Sequence, residues 1–188
     1  MSPGMKYQRR QDADTIVFRI LKMLDDERLI QDTKDYIAEL FKNNVGGHDA
    51  AHSLRVYKNA LLIAEKEPSC NLMVVSLAAL LHDADDRKLF DTEGNANARA
   101  FLEKNNIPDK FIEEICEVIN AVFFSKNRGR QPETIERMIV QDADRLDALG
   151  AIGIARNFSY GGEHGRSLED SIRHFYEKAA SYKRWVKY

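Results

Sequence analysis

The sequence is short of several things. Among 188 residues there are two cysteines, four prolines, ten glycines and one tryptophan, and the formal net charge is only −2. Two cysteines cannot make a disulfide framework, and Cys70 and Cys116 lack the close spacing of a metal knuckle. They read as small core residues of a reducing compartment. So slight a charge imbalance argues against a chain whose main task is coating nucleic acid or an anionic membrane. No apolar run approaches the roughly 18 residues that mark a membrane helix. The longest, Leu72 to Leu81, is too short to span a bilayer, and the basic start MSPGMKYQRR has no apolar stretch of signal-peptide type behind it. Alternating strand patterns, internal repeats and low-complexity tracts are absent too. The expectation is a soluble cytoplasmic protein, with neither membrane nor nucleic acid among its partners.

What is present is an ordinary globular balance, with 44% hydrophobic and 31% charged residues. The length suits one domain, residues 1–188, burying roughly 70% of its unfolded surface. Glycine and proline fall at punctuation points and divide the chain into helical stretches. Ile16, Val17, Ile20, Leu21 and Leu24 recur at helical spacing, and Tyr36, Ile37, Leu40 and Phe41 form a second stripe, stopped at Asn43-Asn44-Val45-Gly46-Gly47. A third segment opens near Asp49, a good N-cap, and carries Val56, Tyr57, Ala60, Leu61 and Ala64. Leu72 to Leu81 is apolar on all sides, as a helix in the middle of a bundle would be.

Asp83 to Gly94 reads as a polar loop, followed by helices around Phe101 and, after Pro108, around Ile115. Another helix carries Ile135 to Leu149 and is expected to run on towards Phe158. Gly161, Gly162 and Gly165 break it, and Ser167 with Asp170 resembles a capping box for a last helix with Ile172, Phe175 and Tyr176. The fold class is therefore all-α, a single-domain bundle of about seven to nine helices.

Only five histidines occur, at positions 48, 52, 82, 164 and 174. His48 and Asp49 follow a Gly-Gly turn, and His52 lies one helical turn further on. His82-Asp83 closes the most apolar helix of the chain. An ionisable pair there is costly to bury unless it is hydrogen-bonded or holds a metal. The plainer reading is that His82 caps the helix C-terminus and Asp83 lies in the loop. The segment Gln141-Asp142-Ala143-Asp144-Arg145-Leu146-Asp147 places acids inside an otherwise apolar helix. At 100° per residue, Asp142 falls among Ile139, Leu146 and Leu149, and Asp144 between Val140, Ala148 and Ala151. Periodicity alone does not choose between the two.

Taken together, GHDAAHSLRV (47–56), LLHDADDRK (80–88) and VQDADRLDALGAIGIAR (140–156) resemble the HD-domain phosphohydrolase superfamily, in particular its small single-domain bacterial branch. One His-Asp dipeptide would carry no weight; three matched segments in order do. The resemblance implies a metal site ligated by His52, His82, Asp83 and Asp144. Two imidazoles and two carboxylates suit a single divalent ion, Mn²⁺ first, with Mg²⁺, Fe²⁺, Co²⁺, Ni²⁺ and Zn²⁺ also compatible. Members with more metals draw extra histidines from between the dipeptide and the last aspartate, and here none lies between His82 and His164. A mononuclear site is expected.

The resemblance also implies Asp86 as a general acid or base, with an exposed loop acid as the plainer alternative; Lys88 can set a fixed cation against a phosphate or be a solvated lysine. His48, Asp49, Arg55 and Arg145 are candidates for touching substrate. Asp49 can equally be a helix cap, and Arg55 and Arg145 can form ion pairs behind the ligands, as can Asp147. Lys126-Asn127-Arg128-Gly129-Arg130 holds three cations in five residues, suiting a triphosphate or a nucleic-acid backbone, but with no interleaved aromatics it reads better as a solvated surface loop. Phe123 and Phe124 suit a base pocket or the core. Relatives in this branch usually continue into further helical sequence, whereas this chain ends at Tyr182-Lys183-Arg184-Trp185-Val186-Lys187-Tyr188, which is expected to open the pocket or leave an apolar surface.

The expected function is a divalent-metal-dependent phosphohydrolase for a small phosphorylated metabolite. A nucleotide is favoured, with triphosphate cleavage to monophosphate and pyrophosphate the most specific form. The alternative is a regulatory module that binds metal and nucleotide without turnover. A homodimer stays open, because amphipathic faces bury equally well within and between subunits.

Overall fold

The structure, a computed structural model, describes residues 3–44, 49–87, 89–122 and 132–183, with side chains from residue 21 to 180 within those ranges. Eight helices and no strand occur among them: α1 Pro3–Leu40, α2 Ala50–Ala64, α3 Leu72–Leu81, α4 Ala96–Lys104, α5 Asp109–Val122, α6 Ile135–Asp147, α7 Ala151–Glu163 and α8 Leu168–Lys183. The fold is the all-α bundle expected. His48, Lys88, Phe123, Phe124, the Lys126–Arg130 cations and residues 184–188 lie outside the described residues.

The chain divides into two compact units, residues 1–32 and 33–188. In the first, Leu21, Met23 and Leu24 are exposed, and Arg28 faces Asp32 one turn on at 3.8 Å. The two apolar stripes expected to be separate helices belong to one element, α1. Nothing between Leu24 and Tyr36 is a glycine or proline, so nothing stops the helix there.

The second unit is built around α3. Every residue from Val74 to Leu81 is buried, and α2, α5 and α6 pack round it. Each large side chain so buried contributes roughly 1.5–3 kcal/mol, which is why a ten-residue helix without charged residues holds its place in the centre. Its start is fixed by Asn71, whose side chain accepts from the Val74 N–H. Thr134 caps α6 in the same way, and the Ser167–Asp170 box opens α8, with the Asp170 N–H donating to Ser167 Oγ at 3.0 Å. Polar side chains stitch the helices by reaching backbone carbonyls. Asn59 donates to Ala143 O (3.3 Å) across α2 and α6, and Gln141 to Ala121 O (2.7 Å) across α6 and α5.

The Asp83–Gly94 loop is polar, as expected, yet Asp85 and Asp86 within it are buried. The Asp85 carboxylate accepts from the N–H groups of Asn97 (2.9 Å) and Ala98 (3.1 Å) and so ties the loop to the start of α4. Tyr36 reinforces the junction, donating to Asn97 O and stacking on Phe101.

The helix expected to run from Ile135 towards Phe158 is two. The chain leaves α6 after Asp147 and re-enters helix at Ala151, with extended Gly150 as the N-cap. Gly153 makes that sharp return feasible, since a Cβ there would lie 2.2 Å from Ala148 O. Conversely, Gly161 and Gly162 do not break the chain but lie inside α7. Gly161 lets α8 approach: a Cβ on it would meet Ser171 Oγ at 2.4 Å. Ile152, Ile154, Ile172 and Tyr176 are exposed.

Candidate metal centre

Three helices bring the site together. α2 supplies His52 and Arg55, the C-terminus of α3 supplies His82 with Asp83 just beyond it, and α6 supplies Asp144 and Asp147. Asp49 caps α2, accepting from the His52 N–H at 2.8 Å, so the turn carrying the first histidine is fixed at its start.

His82 is buried and its Nδ1 lies 2.8 Å from Ala79 O. A carbonyl only accepts, so Nδ1 carries the hydrogen and Nε2 presents a lone pair. His52 is also buried, and its Nδ1 lies 2.8 Å from Asp147 Oδ2. That carboxylate favours a hydrogen on Nδ1 and a second lone pair on Nε2. The two Nε2 atoms face one another at 3.2 Å. Two neutral imidazoles in this arrangement would repel, and the acids beside them are anions. Asp83 Oδ2 is 3.6 Å and Asp144 Oδ1 3.3 Å from His52 Nε2, while Asp83 Oδ1 is 3.5 Å and Asp144 Oδ1 3.9 Å from His82 Nε2.

Ligand atoms of His52, His82 and Asp83 all lie within 4.8 Å of one another. This set of nitrogen and oxygen donors requires a positive charge at its centre, and a divalent cation fits it. Without a metal the charge falls on a proton. Burial alone would push the His52 pKa down, but hydrogen bonds to Asp144 and Asp147 and the charge of Asp83 outweigh it and raise it to about 9. For Asp144, burial pushes the carboxyl up and the hydrogen bond from His52 with the nearby imidazoles more than reverses this, so it is held below its ordinary range.

Behind the donors, Asp147 is buried and takes several hydrogen bonds. Arg55 Nε donates to Oδ1 (2.7 Å) and its Nη2 to Oδ2 (3.1 Å), while Arg156 Nη1 donates to Oδ2 (2.8 Å). His52 first, and then Arg55, overcome the effect of burial and hold the Asp147 carboxyl well below the usual carboxylate range.

Of the residues named from the sequence, His52, His82, Asp83 and Asp144 come together here. Asp142 and Asp144, which periodicity did not separate, part company: Asp144 faces the histidines, and Asp142 is paired with buried Arg145 at 3.5 Å. Asp86 is buried three residues past Asp83, with its backbone N–H on Asp83 O. Arg55 reaches Asp147 rather than open solvent, and Asp49 is a cap. Arg156 was not foreseen. It lies within the 140–156 segment, but reading α6 and α7 as one helix hides its return to the site.

Residues 49–149 match the family described as HD domain, and the chain belongs to it. It is thus a helical member of the HD-domain superfamily of metal-dependent phosphohydrolases. The chain is 34% identical over 154 residues to YpgQ of Bacillus subtilis, covering 77% of this chain and 74% of that one. Among solved structures it is similar to the Lin1889 protein of Listeria innocua (34% identity, TM-score 0.68, covering 86% of this chain and 82% of that one). It is similar also to an HD-superfamily hydrolase of Bacillus thuringiensis (33%, TM-score 0.69, 87% and 85%). A third is B. subtilis YpgQ in complex with ADP (32%, TM-score 0.68, 82% and 79%).

Proposed function

We propose that this protein hydrolyses a small phosphorylated metabolite with one divalent metal ion, Mn²⁺ first among those its donors suit, and that the substrate is a nucleotide. The observation that carries the reading is the pair of Nε2 atoms opposed at 3.2 Å with carboxylates of Asp83 and Asp144 against them. His52, His82, Asp83 and Asp144 would hold the ion, which supplies Lewis acidity to a phosphoryl oxygen and lowers the pKa of water. The ADP bound by the related YpgQ supports a nucleotide. Its triphosphate is the form whose cleavage to monophosphate and pyrophosphate this branch suggests.

The chain's own groups divide the remaining work. Asp86, buried beside the ligand loop, is the candidate to orient the attacking water or protonate the leaving oxygen. Lys88 is the candidate cation for the phosphate, and His48 for contact with the substrate. Asp49, Arg55 and Arg145 are engaged with partners in the protein, so in this reading they shape the site.

The test is a panel of nucleoside mono-, di- and triphosphates with purified protein and Mn²⁺, scoring phosphate and pyrophosphate separately. Monophosphate and pyrophosphate from a triphosphate, abolished by chelation, is the expected result. Nucleotide bound but recovered intact would instead establish the regulatory module. No turnover and no binding would overturn both.

A further inference from the structure

Asp147 sits behind the donor cluster, and two arginines from different helices grip it. Arg55 comes from α2, the same helix as His52, so it moves with the histidine it would steady. Arg156 comes from α7, and its Nη1 lies 2.8 Å from both Asp147 Oδ2 and His52 Nδ1. Two N–H groups cannot bond to each other. With the Nδ1 hydrogen directed to Asp147, the guanidinium hydrogen goes to the same carboxylate oxygen. Asp147 Oδ2 is thereby held from both sides, and its lone pairs point where His52 must be. Arg156 reaches this place from α7, whose Gly153 lies against Ala148 O at the end of α6.

We infer that Arg156 is a positioning residue: acting through Asp147, it orients the His52 ring so that Nε2 faces the ligand atoms of His82 and Asp83. This rests on the metal reading above. The carboxylate behind a metal-bound histidine is worth about 10–100-fold in metal affinity. Among the described residues Arg156 is one of two arginines fixing that carboxylate, so its loss belongs at the low end.

The experiment is Mn²⁺ titration of the metal-stripped full chain, following the paramagnetic resonance of the free aqua ion. Arg156→Gln weakens binding about tenfold, and Arg156→Lys, which restores a charged donor, recovers most of the loss. In an Asp147→Asn background Arg156→Gln costs less than twofold further, because its route of action is already gone. At saturating Mn²⁺ the KM for nucleotide is unchanged. If Arg156→Gln does not fold, Arg156→Met keeps the aliphatic stem, drops only the donors and serves in its place.

Unchanged Mn²⁺ affinity in these variants overturns the inference, as does a full additive loss in the Asp147→Asn background. A raised KM with intact affinity also overturns it and makes Arg156 a phosphate contact. Asp83→Ala, titrated alongside, separates the two levels. If it binds Mn²⁺ like wild type, the metal reading falls and the inference with it. If it loses the ion while Arg156→Gln keeps it, only the inference falls.

Discussion

Asp147 stands behind the donor cluster and gathers three partners. It accepts from His52, Arg55 and Arg156 and is itself buried, whereas both arginines keep part of their surface in solvent. Asp147→Asn removes the charge but preserves the shape, and two guanidinium groups lose their anion. Breaking a fully buried pair costs about 3–5 kcal/mol; with these arginines part-solvated the expected loss is roughly 2 kcal/mol, read from urea unfolding. His52 carries a second consequence. In the metal-free protein its folded pKa, about 9, stands above the ordinary 6.5. A group raised on folding stabilises fully below its unfolded pKa and ceases to do so above its folded one. The melting temperature in chelator therefore falls as pH rises from 6.5 to 9. A flat or rising profile would contradict the proton's place among these donors.

At the scale of helices and loops, the turn between α6 and α7 and the anchoring of the Asp83 loop do most to build the site. Gly153→Ala places a Cβ against Ala148 O, and since the obstacle is backbone it must be relieved by moving a helix. The expected outcome is a loss of about 1–3 kcal/mol, together with weaker Mn²⁺ binding, because Arg156 moves with α7. Calorimetric melting and metal titration of the same variant check both. Asp85→Ala leaves the Asn97 and Ala98 N–H groups without their carboxylate. It should cost about 1–2 kcal/mol and speed amide hydrogen exchange at the start of α4.

These elements also mark where sequence reading succeeds. Leu72–Leu81 was legible as the central helix because an all-round apolar surface has nowhere else to go. The Ser167–Asp170 cap was legible because it is a local pattern. The return of α7 was not: its glycine is needed for a contact with Ala148, which no helical periodicity reports. Asp85 looked like a loop acid for the same reason, its partners lying on another element. His82-Asp83 and Asp144 could be named from motif order, but only packing separates Asp144 from Asp142.

For the molecule as a whole, the near-neutral charge acquires a distribution. Acids gather at the meeting of α2, α3 and α6, and arginines neutralise Asp147 behind them. None of the helices described is long and apolar enough to cross a membrane. A ligand that binds the folded state alone stabilises it, by about 2.7 kcal/mol at a hundred times its dissociation constant. Mn²⁺ should therefore raise the melting temperature of the wild-type chain and leave that of Asp83→Ala unmoved. The most direct measurement is Mn²⁺-dependent release of pyrophosphate or phosphate from a nucleoside triphosphate by wild type and by Asp83→Ala, under the same conditions. The account predicts turnover by the wild type, lost on chelation and lost in the variant; equal turnover by the two would contradict it.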